Sequence, residues 1–160
     1  VPAFSYGLNI ELNYKNFDIA MFWQGVAGQQ IYNDQKYQTD FWSITDAGSN
    51  KGSNMLNAWT QDNKGSKIPA LTTNNSADEG RASSYYVEDG SWLKLRSLQL
   101  GYSLPEELMK KAKIGSCRFY VSGQNILTLK SDSYTVSDPE NSSWAYPQTT
   151  SVSVGVQLGF

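Results

Sequence analysis

From Phe4 to Tyr14, apolar and polar side chains alternate without a break. Phe4, Tyr6, Leu8, Ile10, Leu12 and Tyr14 take the even positions, and Ser5, Gly7, Asn9, Glu11 and Asn13 the odd ones. Only an extended chain puts every second side chain on one side, so this segment predicts a β-strand with one apolar and one polar face. It is also long for a strand. A tilted strand that crosses a bilayer needs roughly 9–11 residues, whereas the usual strand has about 5–6.

The same pattern returns along the chain. Phe17, Ile19, Met21 and Trp23 oppose Asp18, Ala20, Phe22 and Gln24, in a strand ended by Gly25 and Gly28. A third strand is expected from about Tyr85 to Leu104, where Leu98, Leu100, Tyr102 and Leu104 alternate with Ser97, Gln99, Gly101 and Ser103. Its earlier part, Trp92 to Arg96, mixes the two faces, which predicts a bulge or a stretch clear of the membrane. A fourth strand, 116–127, sets Cys117, Phe119 and Val121 against Arg118, Tyr120, Ser122 and Gln124. The last sets Val152, Val154, Val156, Leu158 and Phe160 against Ser153, Gly155, Gln157 and Gly159.

The connections alternate too: short at 13–16, long at 26–84, short at 105–115 and long at 128–148. Pro105 stops the third strand, and 106–113 predicts one or two helical turns. The first long connection is polar, with short helical stretches expected near 34–44 and 53–60 and a break at Ile68-Pro69.

Two all-β architectures share such alternation: an antiparallel transmembrane barrel and a soluble β-sandwich, for example a carbohydrate-binding module. Connection lengths favour the barrel, which has short periplasmic turns and long extracellular loops. With Phe160 at the periplasmic side, 26–84 and 128–148 fall outside the cell, and 13–16 and 105–115 fall inside. Tyr14, Phe17, Tyr102 and Phe160 then form one aromatic girdle, and Phe4, Tyr6 and Trp23 the other. Mean hydropathy of −0.48 does not oppose this, because a barrel strand needs only alternate residues apolar. No run of 18 apolar residues offers a transmembrane helix. About five strands cannot close around a lumen, since eight is about the smallest barrel, so the chain is expected to be part of a larger one.

Composition narrows function. The sequence has no histidine and a single cysteine, Cys117, which removes His-based triads and cysteine metal clusters. There is no phosphate-binding glycine loop or nucleophile elbow, and a net charge of −2 gives no nucleic-acid footprint. Glu88 and Asp89 are neighbours on opposite strand faces and cannot form a glycosidase pair. No catalytic residue, metal site or cofactor is therefore expected.

Tyr37, Phe41, Trp42 and Trp59 in the first long connection are the candidate ligand-binding residues, since aromatic faces suit sugar rings. The alternative is that they pack the loop on itself or on a partner. Asp132, Asp138 and Glu140 match no defined calcium loop, and Asp138-Pro139-Glu140 predicts a rigid turn with solvated carboxylates. Asp18, Arg96 and Arg118 on polar faces are expected to line the lumen, where they either pair with a plug or stay solvated inside a wet barrel.

Seven segments in order carry a resemblance. They are Phe4-Ser5-Tyr6-Gly7-Leu8, Asn16-Phe17-Asp18, Phe22-Trp23-Gln24-Gly25-Val26-Ala27-Gly28, Val87-Glu88-Asp89-Gly90-Ser91-Trp92-Leu93-Lys94-Leu95-Arg96, Leu100-Gly101-Tyr102-Ser103-Leu104-Pro105, Phe119-Tyr120-Val121-Ser122-Gly123-Gln124-Asn125 and Asp138-Pro139-Glu140. Together they resemble the C-terminal β-barrel segment of SusC/RagA-type TonB-dependent outer-membrane transporters. The resemblance implies a barrel of about 22 strands with a plugged lumen. It further implies import of glycans or peptides, energised through the TonB complex, with a SusD-like surface lipoprotein as partner and outer-membrane lipid around the barrel. The plug and the TonB-contacting segment have no counterpart in these residues. For Phe160, which closes an unbroken apolar row, it implies an interfacial anchor and an assembly signal.

Overall fold

The computed structural model describes residues 2–41, 50–71, 80–135, 138–141 and 145–160. The chain forms two compact units. The first comprises Val1–Gln29, Gly90–Ser131 and Pro147–Phe160, and the second Gln30–Asp89 and Asp132–Tyr146.

The first unit holds strands β1 (Phe4–Tyr14), β2 (Phe17–Ala27), β5 (Trp92–Ser103), β6 (Ser116–Lys130) and β7 (Ser151–Gly159). They make one five-stranded sheet in the order β1-β2-β5-β6-β7, antiparallel throughout. Strands β1 and β2 meet through Lys15 and Asn16, with Lys15 at φ 55°. Helix α2 (Glu106–Ala112) fills the connection from β5 to β6, with Met109 buried and Lys113 ending it in the left-handed conformation. In the second unit β3 (Gln30–Tyr32) pairs with β4 (Val87–Asp89). Helix α1 (Asp34–Thr39) follows β3, capped by the Asn33 side chain on the Lys36 amide, and tight turns run over Ser53–Asn57 and Ser84–Tyr86.

Register brings the apolar rows into line. Leu12, Ile19, Leu100, Val121 and Val154 follow one another across the sheet, and so do Tyr14, Phe17, Tyr102, Phe119 and Val156. Directly opposed residues share a face, so one face is apolar from β1 to β7. The mixed stretch before Ser97 is a bulge: pairing shifts between Leu95 and Ser97 on β5. The extra residue, Arg96, resets the alternation, so that Leu93 and Leu95 join Leu98 and Leu100 on the apolar face. Trp92 and Lys94 then lie opposite Val26 and Gln24 on the polar one.

Three boundaries differ from the sequence expectation. Strand β2 continues through Gly25 to Ala27, because β1 and β5 both pair with it there, and the Tyr6 ring takes the space a side chain would fill at Gly25. Gly28, at φ 67°, ends the strand. The expected strand from Tyr85 divides: Ser84–Tyr86 is a helical turn, Val87–Asp89 pairs with β3, and the main sheet takes up the chain only at Trp92. Strand β6 reaches Lys130, where Trp92 pairs with it.

Candidate functional site

The polar face of the sheet carries an ordered side-chain network. Arg118 on β6 donates to Asp18 on β2, with Nε 2.9 Å from Oδ1 and a second bond from Nη2 to Oδ2. The pair spans the intervening strand β5 at Gly101, where any side-chain carbon would collide with both partners. With its amide oxygen turned toward Arg118, Gln99 accepts from the same guanidinium at 3.0 Å. Arg96 donates to Gln24 at 2.8 Å and to Gln148 at 2.8 Å, and its guanidinium lies 5.3 Å from the Trp92 ring. Asp18 and Arg118 thus pair with each other inside the sheet, and Arg96 pairs with Gln24 and with Gln148 ahead of β7, instead of the expected plug contact or plain solvation. Between them a groove of about 350 Å³ is lined by Asn9, Glu11, Phe22, Ser97, Gln99, Ser122 and Gln124. A polar wall of this kind suits a hydrated passage.

The second unit is built from both long connections, and Glu88 is where they meet. This carboxylate is only 6% exposed. It accepts from the Asn33 amide at 2.9 Å, from the Thr135 backbone N–H at 3.0 Å and from the Thr135 hydroxyl at 3.1 Å. Lys36 Nζ lies 3.4 Å away, donates to the Tyr85 carbonyl at 3.0 Å and sits 4.1 Å from the Tyr85 ring centroid. Ile31 packs with Tyr134, which adds an apolar link between the two segments. Asp138 is buried, and its side chain accepts from the Glu140 amide at 3.0 Å. The rigid turn at Asp138-Pro139-Glu140 is present, but Asp138 is not solvated as expected. Among the described residues, no group of three or more His, Cys, Asp or Glu is placed to hold a metal ion.

Aromatic packing supports the same unit. Phe41, Met55 and Tyr86 form a buried cluster, with Tyr37, Tyr85 and Ile68 against it. Tyr85 donates to the buried Asp40 carboxylate at 3.0 Å. Burial holds the Asp40 carboxyl above its ordinary range, opposed by the Tyr85 hydroxyl and the Lys36 charge. Burial and the Asp40 charge likewise raise Tyr85 far above a free phenol. Burial pushes Tyr134 up to about 12, helped by Glu88.

Of the candidate ligand-binding aromatics, Tyr37 and Phe41 meet in this cluster, and Phe41 is 6% exposed. Trp59 is exposed, and its backbone N–H donates to the Ile68 carbonyl. Trp42 lies outside the described residues. Asn33 and Thr135 carry the unit without having been marked by any motif or period, and Tyr85 and Tyr86 had been marked only as the start of a strand. Beside them a polar hollow of about 320 Å³ is lined by Gln35, Lys36, Thr39, Asp40, Ser53, Asn54 and Thr135. Phe160 continues the apolar row of β7 and is fully exposed.

No family model matches the sequence. A TonB-dependent receptor of Formosa agariphila is 37% identical over 142 residues, 87% of this chain and 13% of that protein. Another TonB-dependent receptor of the same organism is 27% identical across the whole chain and 17% of its own length. Among solved structures, the RagAB peptide importer in its "closed-closed" state is similar at a TM-score of 0.79 and 27% identity. Its "open-open" state is similar at 0.78, and each comparison covers 100% of this chain and 17% of the importer chain. The chain therefore spans less than one fifth of the length of these relatives. By sequence, sheet order and apolar face together, this chain is a β-barrel segment of a SusC/RagA-type TonB-dependent receptor of the outer membrane.

Proposed function

We propose that the segment belongs to a non-enzymatic importer that takes up glycans or peptides through the outer membrane. A SusD-like lipoprotein is its surface partner, and the TonB complex supplies energy through parts of the protein beyond this segment. One observation carries the reading: a five-stranded sheet with a continuous apolar face, most of it exposed among the described residues. Val121 on that face is 44% exposed and Val154 78%. In a soluble sandwich those side chains would be buried against a second sheet. In a barrel they meet lipid while the opposite face borders water. The RagAB relatives, described as peptide importers, favour peptides, and the exposed Trp59 favours glycans. Deleting the gene for the full-length protein and measuring uptake of labelled oligosaccharides and oligopeptides decides between them. Loss of one class is expected, and unchanged uptake of both refutes import.

The two long connections, read from the sequence as 26–84 and 128–148 and bounded by the strand ends at 28–91 and 131–150, are proposed to face outward, and the short ones, read as 13–16 and 105–115, to face the periplasm. Supporting this are the length asymmetry and the joining of both long connections in one unit. Phe160 is proposed as an anchor at the periplasmic headgroup level. The exposed Lys51 and Lys64 should react with a membrane-impermeant amine label on intact cells. Protection that vanishes once the outer membrane is opened would reverse the orientation.

A further inference from the structure

The apolar face is not uniform. At the end of the sheet served by the Lys15–Asn16 turn and α2, one cross-strand row is aromatic: Tyr14, Phe17, Tyr102 and Phe119. The Phe17 and Tyr102 rings stand 4.7 Å apart, tilted by 46°. In the next row Leu100, Val121 and Val154 are shorter. Rings standing above a low aliphatic floor leave an open apolar groove of about 520 Å³, within the size range of small-ligand sites.

Charge collects at the same end. The exposed Lys15 ammonium lies 5.4 Å from the centroid of the Tyr14 ring, which lines the groove. Helix α2 and its cap add exposed Lys110, Lys111 and Lys113 against Glu106 and Glu107. The two connections at this end thus hold four lysines and two glutamates, a surplus of two positive charges. The cation sits over a ring that itself lines the groove, so positive charge and apolar surface are presented side by side. A lipid with an apolar chain and an anionic head satisfies both features.

Resting on the barrel reading above, we infer that this groove binds one acyl chain of an anionic phospholipid, with its phosphate at Lys15. The aliphatic floor receives the chain, the aromatic row fixes it near headgroup depth, and α2 supplies the surrounding positive field.

The test uses the full-length protein reconstituted in equal parts phosphatidylglycerol and phosphatidylcholine. Lipid retained after mild extraction is counted by native mass spectrometry. The wild type should retain phosphatidylglycerol in preference to phosphatidylcholine. Lys15→Gln should lower that preference about fivefold. Val121→Trp, which fills the groove floor, should reduce retention of both lipids. Equal retention of the two lipids by the wild type overturns the inference, as does an unaltered pattern in either variant. Folding of each protein into pure phosphatidylcholine, read as heat-resistant migration, separates the two claims. A protein that fails to insert there refutes the barrel reading, whereas one that inserts and shows no preference refutes this site alone.

Discussion

Glu88→Ala in the full-length protein should loosen the loop unit by about 3–5 kcal/mol, the usual cost of removing one member of a buried charged pair. The substitution leaves the Asn33 amide, the Thr135 N–H and the Lys36 ammonium without their shared acceptor. Each is a donor to a charged group, and unmade bonds of that kind are expensive once buried. Hydrogen exchange should show the effect as lost protection of Asn33, Tyr86 and Thr135 together, because this carboxylate is bonded to both long connections at once. Cleavage after Lys51 by a protease should accelerate on the order of a hundredfold. The five-stranded sheet is a separate compact unit, so its heat-resistant migration should be unchanged. Glu88→Gln keeps an acceptor and should cost about 1–2 kcal/mol. Wild-type protection in Glu88→Ala would show that the two connections hold together without this contact.

Val154→Arg should destabilise the folded protein in lipid by about 2–4 kcal/mol if the position lies near mid-bilayer. Val154 pairs with Val121 in the aliphatic row of the apolar face and is 78% exposed. A guanidinium there must leave water for hydrocarbon or distort the bilayer to reach its surface. The matched control is Ser153→Arg, one residue away on the polar face and opposite Ser122. It should be nearly neutral, since that face borders a wet lumen. Equilibrium unfolding of the full-length protein in phospholipid vesicles measures both. Equal costs at 153 and 154 would mean that the two faces do not meet different solvents, and the membrane reading would fail.

Alternation by itself determined which residues share a face. Ile10, Ile19, Leu100, Val121 and Val154 could be assigned to one surface because side chains in a strand repeat every two residues, and that period is visible in any short window. The order of short and long connections was legible for the same reason, whereas the ends of β2, β5 and β6 were not, because pairing with neighbouring strands set them. The position of Arg96 was partly legible: the broken alternation announced a bulge, and the register showed that one extra residue there returns Leu93 and Leu95 to the apolar face. The loop unit was not legible. Its centre is a contact between Glu88 and Thr135, 47 positions apart, and between Asn33 and Thr135, 102 positions apart. Such contacts leave no period behind, because each is one pair closed by the fold rather than a pattern repeated along the chain. The Asp18–Arg118 bridge is of the same kind, and it exists only because Gly101 lies between its partners on the intervening strand. The candidate aromatics divide along this line. Their types marked Tyr37, Phe41 and Trp59 as rings able to bury area, but only tertiary packing decided that Phe41 lies in a core while Trp59 stays open to solvent. A side chain's chemistry is local, whereas its neighbours are set by how distant segments close on one another.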